Sequence, residues 1–340
     1  MSVSPARYIP AAACAVVLLF AANLFWGSVD IPAASVFDIL CGGGEDRPSW
    51  SFIVLESRLP QALTALLVGA SLAAAGLMLQ TVFANPLAGP SILGVEAGAS
   101  LGVALVMLSL GGTGGLFFGG YLAVVAGAFA GAAVVLGIVI FFSTLVRSNV
   151  MLLIIGLMVG YAASSVISLL NFFATAEGVH SYTLWGMGDF SGVSLRQMPF
   201  FCAALGAGLL IAALSVKPLD ALLLGERYAG NLGVRVRRVR LLLLGSTGIL
   251  TATVTAFCGP ITFLGLAVPH LSRLLTGSAR HTTLLPVTLL TGSAAALLCN
   301  LISVLPGSTG MIPLNAITPM LGAPVIIYVI VNQRKIQYFN

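Results

Sequence analysis

AGASLGVALVMLSLGGTGGLFFGGYLAVVAGAFAGAAVVLGIVIFFSTLV, residues 97–146, contains no charged side chain. A bilayer core takes about 20 predominantly apolar residues per helix, so this run holds two crossings and a turn. Further uncharged runs occupy 8–29, 59–95, 148–176, 197–216, 241–272 and 281–333. Of the 340 residues 59% are hydrophobic and 7% charged, where a soluble domain carries roughly 25% charged residues. A soluble fold is excluded.

Proline and glycine pairs divide the ambiguous runs, because they punctuate turns. Asn85-Pro86 and Gly89-Pro90 make 59–95 a helix followed by a loop, and Gly259-Pro260 with Pro269 makes 241–272 a long helix and a short one. The expected fold is an all-α integral membrane protein with about ten transmembrane helices. They fall near 8–28, 60–82, 92–110, 117–142, 151–173, 197–215, 236–257, 261–275, 283–304 and 314–332, within a single permease domain covering 1–340.

An even number of spans places both termini on one side of the membrane. Arg7, Arg147, Lys217, Arg227, Arg235, Arg237, Arg238, Arg240, Arg273, Arg280, Arg334 and Lys335 gather there, leaving Arg47, Arg58 and Arg196 opposite. Loops retained in the cytoplasm carry excess Lys and Arg, so both termini are expected to be cytoplasmic. The net charge of +5 then belongs to juxtamembrane loops, next to membrane lipid, and no nucleic-acid partner is expected. The first apolar stretch lacks a convincing small-x-small cleavage site and reads as a retained helix. The localisation that follows is multi-pass in the cell (inner) membrane.

No GxxxxGK[ST], HExxH or GxSxG stretch occurs, and the three histidines, His180, His270 and His281, are dispersed. The chain is expected to have no catalytic residue, cofactor or metal site of its own, and to take energy from elsewhere. Cys14, Cys41, Cys202, Cys258 and Cys299 lack paired spacing and read as small apolar filler. Small residues such as Gly69, Ala73 and Gly76 suit close helix packing.

Four loops carry more specific information. Arg58-Leu59-Pro60-Gln61 stands at the outer end of the second span, and Gln80 with Asn85-Pro86-Leu87-Ala88-Gly89-Pro90 at its inner end, where irregular backbone suits a pore closure. The connection 217–235 reads as short amphipathic helices with glycine stops, a surface fit for docking a separate ATPase. In the segment 259–273, His270 reads as a structural hydrogen-bonding group. Glu96 opens the third span, where it is a functional candidate by depth or simply favours the helix dipole in a wet mouth.

RLPQALTALLVGASLAAAGLMLQ (58–80), NPLAGPSILGVEAGASLG (85–102), LWGMGDFSGVS (184–194), LLGERYAGNLGV (223–234), GPITFLGLAVPHLSRLLTG (259–277) and MLGAP (320–324) follow one another in this order. Together they resemble the FecCD-type permeases, membrane subunits of type II ABC importers for cobalamin, haem and ferric siderophores. The resemblance implies a homodimer around a central path, with two ATP-binding-cassette subunits below and a periplasmic or surface substrate-binding protein above. Transport would proceed by alternating access, with ATP hydrolysed in the partners.

Matched to that family, Leu224, Gly225, Glu226, Ala229, Leu232 and Gly233 are the ATPase dock, within 217–235. Asn85, Leu87, Ser148 and Asn149 match the cytoplasmic gate, and Arg58 matches a position that meets the binding protein. Gln61 and Val304 stand where the cobalamin permease carries arginine, which weakens electrostatic steering at that face. The expected translocation path includes Met78, Gln80, Phe83, Ser164, Ser165 and Asn171, all neutral, as suits a bulky metal chelate. The rival reading, an ion-coupled secondary transporter, has only Glu96 and the boundary residue His270 as membrane-embedded coupling groups.

Overall fold

The computed structural model describes residues 8–43, 47–109, 119–146, 148–304 and 311–331. Arg7, Arg147, Arg334 and Lys335 of the expected charge asymmetry lie outside the described residues. Among the described residues every regular element is helical: α1 (Tyr8–Phe25), α2 (Ala33–Leu40), α3 (Pro48–Phe52), α4 (Leu59–Val82), α5 (Val95–Ser109), α6 (Gly119–Leu145), α7 (Asn149–Phe173) and α8 (Ala176–Gly186). The order continues with α9 (Met198–Leu214), α10 (Val216–Leu222), α11 (Glu226–Asn231), α12 (Val236–Cys258), α13 (Leu264–Thr276), α14 (His281–Ser303) and α15 (Leu314–Val331). A π-helical turn, Ile53–Arg58, leads into α4, and a 3-10 turn, Pro90–Leu93, precedes α5.

A helix stands at each of the ten expected positions, but they differ in kind. Six are long and apolar enough to cross a membrane: α1, the helix through α3 and α4, α6, α7, α12 and α14. The chain is therefore a multi-pass membrane protein. The pair α9 and α10 passes the same test together but bends by 53°, and α5 and α15 are shorter apolar helices. The eighth expected span is shorter still: α13 has 13 residues, rising about 20 Å at 1.5 Å per residue where the hydrocarbon core is about 30 Å thick. Its missing length is irregular backbone, and Phe263 there adopts φ +69°, a left-handed conformation rare for a bulky residue.

The fold is organised around α4. This helix is apolar or small on every side, and a helix of that kind belongs in an interior; from Val68 to Val82 every residue is buried. Lipid tails are as apolar as leucine, so contact between such helices comes from close packing rather than from the hydrophobic effect. Glycines supply it. A Cβ on Gly69 would lie 2.2 Å from the Gly292 carbonyl oxygen of α14, and one on Gly292 would lie 2.3 Å from that of Gly69. The approach of α13 is tighter, with Gly76 against the carbonyl of Gly265. Between α5 and α6, Gly98 faces Gly131 and Gly102 faces Gly127 in the same way.

Around this centre α7 is the outlying element. Ile154, Leu157, Met158, Tyr161, Val166, Leu169, Phe172 and Phe173 are all exposed on it.

Candidate functional site

The end of the bundle at which α4 terminates collects the basic loops, and α10 and α11 fold beneath it. Glycines bracket α11: Gly225 at φ +96° and Gly233 at φ +85° take left-handed conformations open to glycine at no steric cost. The short amphipathic helices with glycine stops read from the sequence are thus present. Ala229 is buried against the bundle, while Leu224, Tyr228 and Leu232 project outward.

Glu226 forms an ion pair with Arg240 of α12. Asn149, the first residue of α7, joins them: its Nδ2 donates to Glu226 Oε1 at 3.1 Å and to the Val82 carbonyl of α4 at 3.2 Å, and its Oδ1 accepts from Arg240 Nη2 at 2.8 Å. Ser148 caps α7 by accepting from Met151 N at 3.4 Å. Residues matched separately to a dock and to a gate therefore share one hydrogen-bonded cluster.

Beyond α4 the chain reverses at Ala84, φ +45°, and Asn85 N donates back to the Gln80 carbonyl at 3.1 Å. Asn85 Oδ1 accepts from Leu87 N at 2.9 Å, the Asx arrangement that stabilises tight turns. Leu87 is exposed. Helix α13 fastens this turn from inside. His270 Nε2 donates to the Pro86 carbonyl at 2.7 Å, Arg273 Nη1 donates to Gln80 Oε1 at 2.5 Å, and Gln80 Nε2 donates to the Leu266 carbonyl at 3.2 Å. His270 is thus the structural hydrogen-bonding group that the sequence suggested.

A second cluster ties α10 to α14. Asp220 Oδ1 accepts from the His281 backbone at 2.6 Å and from His281 Nδ1 at 2.8 Å. Burial pushes the Asp220 carboxyl up, but the His281 hydrogen bonds and the charges of His281 and Arg280 outweigh it and hold Asp220 below its ordinary value. His281 Nε2 stands 2.8 Å from Thr81 Oγ1 on α4.

The expected path residues separate into two groups. Ser164 and Ser165 are exposed on α7, with Asn171 near its end. Met78, Gln80 and Phe83 are 0%, 0% and 2% exposed, so they pack inside the chain's own bundle and do not line an outer face. Asn171 also borders an open pocket of about 570 Å³ with Tyr182, Thr183, Met187 and Asn315, none of them charged.

Arg58 is likewise turned inward. It is 6% exposed, and its guanidinium donates to the carbonyls of Leu24 at 3.0 Å, Phe25 at 3.1 Å and Val29 at 2.5 Å. It caps the C-terminal end of α1, satisfying carbonyls that have no partner within the helix. Gln61 is buried beside it, with Nε2 3.9 Å from Met311 Sδ.

Glu96 lies inside the protein and not in a wet mouth, at 8% exposure. It borders a cavity of about 180 Å³ with Ser91, Thr251 and Phe263. Among the described residues, Glu96 Oε1 and Thr251 Oγ1 have no hydrogen-bond partner.

Comparison with known proteins places this arrangement. The model of the FecCD transport family matches residues 15–332. The chain belongs to the FecCD transport family. Among its relatives, the vitamin B12 import system permease protein BtuC of Klebsiella pneumoniae is 34% identical over 302 residues, covering 87% of this chain and 89% of that protein. The molybdate import system permease protein MolB of Haemophilus influenzae is 35% identical over 249 residues, covering 72% and 71%. A solved structure described as an inward-facing metal-chelate type ABC transporter superposes with a TM-score of 0.81 at 29% identity, covering 96% of this FecCD chain and 99% of its own.

Proposed function

We propose that this chain is the membrane permease subunit of an ABC importer that passes a bulky metal chelate, such as a ferric siderophore, haem or cobalamin, into the cytoplasm by alternating access. The cargo reading rests on one observation: the exposed face of α7 leads to a pocket of about 570 Å³ whose lining holds no charged side chain. A pocket of this volume with a neutral lining suits a large chelate, held by area and neutral hydrogen bonds. In this reading a second copy of the chain covers the exposed apolar face of α7, and the path runs between the copies past Ser164, Ser165 and Asn171.

Two ATP-binding-cassette subunits would bind Leu224, Gly225, Glu226, Ala229, Leu232 and Gly233, as a helix seated in a partner's groove. Asn85, Leu87, Ser148 and Asn149 would form the gate above them. The opposite end would receive the binding protein, without help from the inward-turned Arg58.

Topology supports the assignment of sides. Asn23 near the end of α1 donates to the Leu297 carbonyl and accepts from Asn300, both near the end of α14, while the start of α14 meets the end of α4. The start of α1 then shares a side with the basic loops, as a ten-span chain with cytoplasmic termini requires.

Proteoliposomes carrying the assembled importer and its binding protein test the cargo. ATP-dependent accumulation is expected for at least one of ferric siderophore, haem and cobalamin, and not for molybdate. Accumulation of molybdate alone would contradict it.

A further inference from the structure

Three successive residues in the last turn of α4 are each held by a different helix. Gln80 is held by Arg273 of α13, Thr81 faces His281 of α14, and the Val82 carbonyl accepts from Asn149 of α7. Two of these three contacts continue to the segment beneath the bundle. From Thr81 the chain of contacts runs through both ring nitrogens of His281 to Asp220 of α10. From Val82 it runs through the Asn149 amide to Glu226 of α11 and Arg240 of α12.

A purely structural account of Asp220 is that it caps α14. Arg280, at the N-cap position, supplies no side-chain cap, and Asp220 accepts from the first backbone N–H of the helix. That account explains the backbone contact alone. It leaves unexplained why the same oxygen also binds the imidazole, and why the far side of that fully buried ring meets α4 beside the residue at which the second chain ends.

We propose that Asp220, His281 and Thr81 form a positioning relay that carries movement of the ATPase-docking segment to the last turn of α4, and so to the gate turn at Asn85. The relay rests on the importer reading above. Charge-assisted hydrogen bonds such as Asp220 to His281 are shorter and about twice as strong as neutral ones, so the relay transmits displacement where a packed apolar contact slides. Its second arm, Glu226 to Asn149 to Val82, reaches the adjacent residue, so the two short helices grip one turn of α4 from two directions. The gate turn follows two residues later, folded back by the Asn85 N to Gln80 bond. Packed and hydrogen-bonded chains of this kind can carry coupling between separated sites.

Thr81→Val tests the relay, because it keeps the shape of the side chain and removes only the hydroxyl. The importer is reconstituted with the ATPase subunits that co-purify with it, and cargo moved per ATP hydrolysed is measured. Thr81→Val is expected to keep basal ATP hydrolysis and lower transport per ATP by about fivefold, the scale of one lost hydrogen bond. Thr81→Ser, which restores the hydroxyl, is expected to recover the wild-type ratio. A merely structural role would lower assembly and both activities together, leaving the ratio unchanged, and that result overturns the relay.

Should Thr81→Val fail to accumulate, Asp220→Ala at the half-exposed end carries the same expected loss of ratio, and an unchanged ratio there also overturns it. A wild-type chain that recruits no ATPase overturns the importer reading and the relay together, whereas unchanged variants in a working importer overturn the relay alone.

Discussion

Gly76→Ala is expected to abolish accumulation of the folded chain. An added Cβ would sit 1.6 Å from the carbonyl oxygen of Gly265, inside any permissible contact, and its obstacle is backbone, which no rotamer change removes. Helices α4 and α13 would have to separate. Separation breaks the bonds of Gln80 to Arg273 and Leu266 and that of His270 to Pro86, at about 0.5–1.5 kcal/mol for a neutral bond and about 1.5–3 kcal/mol for the one to Arg273. Ordinary overpacking costs about 1–3 kcal/mol in addition, and the sum approaches the roughly 5–15 kcal/mol by which a native protein is stable. Gly137→Ala is the control, since no atom lies within 4 Å of its added Cβ. Size-exclusion profiles of detergent extracts should show the Gly137 variant at wild-type level and the Gly76 variant absent or aggregated. Equal monodisperse peaks would show that the α4–α13 contact is looser than the structure has it.

Glu226→Arg is expected to cut recovery of co-purifying ATPase by at least about tenfold, the scale of losing one hot-spot contact. The substitution acts twice. It places a second guanidinium beside Arg240 at the N-terminus of α11, where the helix dipole disfavours a cation, and it removes the acceptor for Asn149. The Glu226 side chain is 42% exposed, so solvent screens the pair, and the effect comes from misplacing α11 more than from lost Coulomb energy. Glu226→Gln retains an oxygen for Asn149 and should lose far less. Quantifying ATPase against permease in tandem purifications measures both. Wild-type recovery with Glu226→Arg would remove α11 from the dock.

Much of this architecture was legible because charge is so sparse. A helix stands in each stretch that the uncharged runs marked, six of them long and apolar enough to cross a membrane, and the prolines near 260 and 269 marked where α13 is cut short. What the runs could not show was which side of a helix faces which neighbour. Helix α4 is apolar or small all round, so no periodicity distinguished its interior residues Met78, Gln80 and Phe83 from residues on an outer face. Arg58 read as an outward cation because its partners are backbone carbonyls about thirty positions earlier, at Leu24, Phe25 and Val29, and carbonyls leave no trace in side-chain identity.

The short helices α2, α3 and α8 escaped notice because each is too brief to impose an apolar run of spanning length. The meeting of Glu226 with Asn149, and of Asp220 with His281, depends on helix ends brought together by the fold across separations of 77 and 61 residues. The glycine contacts stand between the two cases. Small residues on α4 signalled close packing, but that Gly69 answers Gly292 and Gly76 answers Gly265 is visible only in three dimensions.

The central claim is that this FecCD-family chain works as the permease of an ATP-driven importer. Affinity purification from its native membrane in mild detergent, followed by mass spectrometry of stoichiometric partners, tests it most directly. An ATPase bearing a Walker-type phosphate loop, equimolar with the permease, is the predicted result. Recovery of the chain alone across several detergents would contradict it and favour an ion-coupled transporter that uses Glu96.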